Sequence, residues 1–189
     1  MGCWGFGIME SDDAMDLECG LLEVAELDTD ADDFDETSLK TRFALEARLP
    51  ELLERAASEP APDGFTYYRA MAHQVLATLL MQAGCAMSEE TRQTLMTGIR
   101  DCNEYGFAKS LLREIGERRI TAADLERHDV TPGFRGYDGH IERLYGRMAA
   151  IDGQLALLAS YAIQGGALTE TPSRGLFEAF DDALGNNVQ

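Results

Sequence analysis

The first 36 residues contain no lysine and no arginine, and lysine is scarce throughout: only Lys40 and Lys109 stand among 16 basic side chains. Against 34 acidic groups this leaves a formal charge of -18 and a pI near 4.4. Phosphate recognition draws on clustered cations that release counterions from the backbone, so direct binding to nucleic acid is not expected. No apolar run reaches 18 residues and no basic stretch precedes an apolar one at the start. Neither a membrane span nor a signal peptide is expected, and the reading is a soluble cytoplasmic protein.

Chemistry-bearing motifs are also missing. The four cysteines (Cys3, Cys19, Cys85, Cys102) form no C-x-x-C, which leaves free thiols rather than a zinc knuckle or redox pair. Three histidines give no H-E-x-x-H and no E-x-x-H, excluding the zincin and ferritin-like metal arrangements. There is no G-x-S-x-G, no S-x-x-K and no G-x-x-x-x-G-K, so nucleophile elbows and phosphate cradles are absent. No cofactor is expected. No stretch alternates polar and apolar residues as a half-buried strand would, and the expected fold is all-α.

What remains is 45% hydrophobic in 189 residues, enough for one domain with its own core. We read it as an acidic N-terminal segment, 1–36, on a helical bundle body, 37–189. Ser11 caps an amphipathic helix from about Asp12 to Leu27, with Ala14, Leu17, Leu21 and Val24 or Ala25 inward. Ser38 caps a helix to Arg48, and Pro50 opens a second piece from Glu51 to Ala57. The span from Phe65 to Ala83 is apolar almost all round and closes at Gly84, marking a central helix. Ser88 starts another, to about Glu104; Phe107 to Arg118, Ala122 to Arg127 and Pro172 to Leu184 are expected to be short helices. From His140 to Ala162 the residues Ile141, Leu144, Met148, Ile151, Leu155, Leu158 and Ala162 form a heptad seam. That seam either packs inside the bundle or pairs two copies as a homodimer.

Thirteen carboxylates fall between Glu10 and Glu36, whereas the remaining 153 residues hold 21 acidic and 16 basic groups. The anomaly is local. Asp28, Asp30 and Asp32 occupy positions 1, 3 and 5 of an EF-hand loop, but Asp33 stands at the glycine position and Leu39 at the final glutamate position. The block is therefore read as a surface for a basic protein partner, possessing Asp12, Asp13, Asp16, Glu23, Glu26, Asp28, Asp30, Asp32, Asp33, Asp35 and Glu36, with Phe34 as the apolar anchor of the loop. Aromatic contact from Phe34, Phe134 and Tyr137 would hold what the charges attract. In its sharpest form this is a nucleic-acid mimic that blocks a nucleic-acid-binding protein. The alternative is a metal-assisted hydrolase built on Asp138, His140 and Glu142. His73 and His128 are read as structural, one in the core and one at a helix C-terminus.

The opening, Met1-Gly-Cys-Trp4-Gly5-Phe-Gly7, followed by Asp12-Asp-Ala14-Met-Asp16, resembles a bacterial and phage family catalogued as domain of unknown function 4259. The resemblance covers about 25 residues and implies kinship without an assigned activity. Physically, Trp4 would plug an apolar pocket while Gly2, Gly5 and Gly7 permit an irregular approach to the bundle.

Overall fold

The structure, a computed structural model, describes residues 8–9, 12–29, 31, 34–36, 38–60, 67–101 and 141–161. Among them the fold is all-α, with six helices and no strand: α1 (Asp12–Val24), α2 (Leu39–Ala47), α3 (Leu49–Ser58), α4 (Tyr67–Gln82), α5 (Glu89–Arg100) and α6 (Ile141–Ser160). The N-terminal glycine-rich opening, the helices expected at 107–118, 122–127 and 172–184, and Phe134 and Tyr137 lie outside the described residues.

α4 is the hub, packing against α1, α3, α5 and α6. Every residue from Ala70 to Met81 is buried, which is what a helix apolar on all faces requires. Its polar members are satisfied locally: the His73 Nδ1–H donates to the Arg69 carbonyl at 2.7 Å, and the Thr78 hydroxyl donates to the Gln74 carbonyl at 3.0 Å. A carbonyl can only accept, so His73 carries its proton on Nδ1. Burial holds the ring's pKa below its ordinary value, matching the core histidine expected there.

Two helices start in the same way. Ser38 Oγ accepts from Thr41 N at 3.1 Å, and Ser88 Oγ accepts from Thr91 N at 3.0 Å, each cap satisfying one of the orphan donors of a first turn. Two helices also end alike. At α4, Gly84 has φ 68°, with Cys85 N donating to Leu80 O and Gly84 N to Met81 O. At α1 the left-handed residue is Glu26, φ 58°, with Leu27 N donating to Leu22 O and Glu26 N to Glu23 O. Both are six-to-one terminations with a buried apolar pair across the bond. This is why α1 stops at Val24, short of the Leu27 expected from periodicity. α5 likewise stops at Arg100 rather than Glu104, where Asp101 N caps Thr97 O.

On α6 the seam residues Met148, Ile151, Leu155 and Leu158 are buried, with α4 and α5 as neighbours. A second copy is not needed to cover them. Buried Gln154 crosses to α4, donating from Nε2 to the Gln74 carbonyl at 2.6 Å and to Thr78 Oγ1 at 2.9 Å.

Candidate interaction surface

At 100° per residue, Asp12, Asp16 and Glu23 fall within one narrow arc of α1, with Ala14, Leu21 and Ala25 on the opposite side and Leu22 on the flank between. The burial follows: the apolar set is covered and Asp16 and Glu23 are exposed, with Asp12 half-buried. The helix contains no basic residue. The stripe from Asp12 to Glu23 is about 17 Å long at 1.5 Å per residue. Asp13 lies on its flank towards the start of α4, where its charge and burial raise the pKa of the Tyr68 hydroxyl, burial contributing more.

The acidic loop is tied down beside this helix. Ala31 N donates to Asp28 O, Phe34 N to Ala31 O and Ser38 N to Asp35 O. Phe34 is half-buried against the core, and the Thr41 hydroxyl donates to the Asp35 carbonyl at 2.7 Å. Asp28, Asp35 and Glu36 are exposed. Asp30, Asp32 and Asp33 lie outside the described residues. Glu26 differs from the others, because its carboxylate is paired with Arg48 at the junction of α2 and α3. That places one of the expected partner-facing charges in an intramolecular ion pair, next to the left-handed turn that aims it.

Glu18 was not among the residues expected to matter, yet among the described residues of the segment it is the carboxylate with a clear shift. Its spacing, Ala14–Glu18–Leu21–Ala25, puts it in the core-facing arc of α1. Partial burial, with the nearby Glu36 charge second, pushes its pKa up to about 7. The signal was in the wheel: a carboxylate at an inward position.

A polar knot joins α2 and the residue after α6 to the connection between α4 and α5. Glu46 Oε1 accepts from Arg42 Nε at 2.9 Å and from Ala86 N at 2.8 Å, while the Tyr161 hydroxyl donates to the Cys85 carbonyl at 3.1 Å. Burial pushes both the Cys85 thiol and the Tyr161 phenol up to about 12. A thiol in that state is protonated and unreactive, so this knot holds helices together rather than supplying a nucleophile. Among the described residues no group of three His, Cys, Asp or Glu could hold a metal ion. Asp138 and His140 lie outside them, as does the side chain of Glu142. No described helix is long and apolar enough to cross a membrane.

No protein-family model, curated protein or solved structure matches this chain. The resemblance at the N-terminus therefore rests on its own short motif.

Proposed function

We propose that this protein is a non-enzymatic interaction or inhibitor protein whose acidic N-terminal region engages a basic protein surface. The observation that supports it most directly is the solvent face of α1, where Asp12, Asp16 and Glu23 line up in a helix with no cation. Asp28, Asp35 and Glu36 extend the negative surface on a loop anchored through Phe34 and Thr41. Such a field accelerates encounter with a cationic partner and selects against anionic ones.

A partner that normally holds nucleic acid is the sharpest case. B-DNA carries one charge per roughly 1.7 Å, about ten over the length of the α1 stripe, so the three carboxylates of that stripe are too sparse alone. Asp13 with the loop carboxylates Asp28, Asp30, Asp32, Asp33, Asp35 and Glu36 raises the sequence count to ten, leaving out Glu10, the core-facing Glu18 and the Arg48-paired Glu26. Affinity capture of basic proteins at low and high salt tests the reading. The bound protein should be released by salt and by duplex DNA, and should be lost when Asp12, Asp16 and Glu23 are changed to Asn, Asn and Gln. Retention of the same protein by that triple variant overturns the proposal.

A further inference from the structure

The exposed side chains of the described residues include two large apolar groups one turn apart on a single helix: Leu39, 49% exposed, and Phe43, 60% exposed, both on α2. Ala47 continues the line one turn on and is exposed as well. Residues spaced by four form a ridge along a helix, the element that seats between the side chains of a second helix. Aromatic side chains, phenylalanine among them, are enriched at the cores of protein interfaces, and Phe43 is the more exposed member of this ridge. Among the described residues nothing in the packing of α2 calls for either group on this side, because its buried positions are Thr41 and Leu45.

Charge decides the occupant. The ridge begins three residues after Glu36, where the acidic block ends, and the Thr41–Asp35 bond fixes that end of the loop to the first turn of α2. On one flank Arg42 is already neutralised by Glu46; Lys40 stands on the other. The adjoining block carries 13 carboxylates and no cation, so a second copy whose own block met this one would bring like charge to like charge. We propose that the Leu39–Phe43 ridge is the docking site for a cationic amphipathic helix of the partner, its apolar face on Leu39 and Phe43 and its Lys or Arg side chains turned to the acidic block. This rests on the acidic-surface reading and adds the partner's secondary structure and the residues that hold it.

The test uses the full chain and a synthetic helical peptide of leucine and lysine patterned on one face, with a scrambled control of the same composition and a third peptide with glutamate for lysine. The patterned peptide should bind at least tenfold more tightly than the scrambled one. Leu39→Ser with Phe43→Ser should remove that preference while leaving the helical circular dichroism intact and a cooperative melt only slightly lowered, since about half of each side chain is exposed. Lys40→Glu should tighten binding. If the double variant binds as well as the original chain and salt still releases the peptide, the ridge is not the dock although the acidic surface survives. Equal binding of the glutamate peptide defeats both. Light scattering that shows dimers lost in the double variant assigns the ridge to a second copy and overturns the proposal.

Discussion

The His73 ring of α4 lies so close to Gly98 of α5 that a Cβ at that glycine would sit 2.2 Å from His73 Cδ2 and 2.6 Å from Nε2. The ring cannot turn away freely, because Nδ1 is held by the Arg69 carbonyl. Gly98→Ala therefore forces α4 and α5 apart or breaks that hydrogen bond. We expect a loss of about 1–3 kcal/mol in urea unfolding. In the background of His73→Ala the same change should cost much less, and additivity of the two would refute the contact.

Stability against pH carries two opposing contributions. Glu18 has a folded pKa of about 7, above its ordinary 4.5, so its contribution is fully present below 4.5 and is lost as pH rises through 7. His73 is shifted the other way, so its contribution is full above 6.5 and declines as pH falls below that value. Glu18→Gln should gain about 1–2 kcal/mol at pH 8, allowing for partial exposure, and little at pH 4. The variant's stability should then fall from pH 7 to 5, the direction that His73 dictates among the described residues. An unchanged pH profile would show that the Glu18 carboxyl is not held in the core-facing arc.

The two matched helix ends make a pair of opposite expectations. Gly84→Ala places a Cβ in the left-handed region and should destabilise by about 1–2 kcal/mol. Glu26→Gly removes that same strain and loses only an exposed ion pair with Arg48, so it should stabilise by up to about 1 kcal/mol. Thermal unfolding of the two variants checks both signs, and a destabilised Glu26→Gly would make the Arg48 pair the larger effect.

Thiol chemistry should separate the described cysteines. Cys19 is exposed on α1, whereas Cys85 is buried with its thiol near 12. Brief alkylation of the native protein followed by peptide mapping should find Cys19 modified and Cys85 protected until denaturant is added. Early modification of Cys85 would contradict the closed knot around Tyr161.

Most of the helical order was legible because it rests on local rules. Ser38 and Ser88 announced their helices, Gly84 closed α4, Pro50 sat in the first turn of α3, and the 65–83 span showed its central place by being apolar all round. The end of α1 was misplaced because a glutamate fills the role that glycine usually takes, and residue type alone does not reveal a left-handed backbone. The candidate surface was legible in its charge and less so in its detail. Pairing of Glu26 with Arg48 spans 22 residues, and exposure of Leu39 and Phe43 depends on how α2 is rolled onto its neighbours. Neither follows from periodicity in a nine-residue helix with two inward positions.

The bond from Gln154 to α4 has a consequence for register. An apolar seam resists a one-turn slip only through the shapes of its side chains, here Met148, Ile151, Leu155 and Leu158, and volume-conserving exchanges among such residues usually cost less than about 1.5 kcal/mol. Here a slip would pull the Gln154 amide off the Gln74 carbonyl and Thr78 hydroxyl and strand it among methyl groups, at a cost of about 1–3 kcal/mol. One amide thus gives α6 a single alignment on α4 that its hydrophobic residues could not specify.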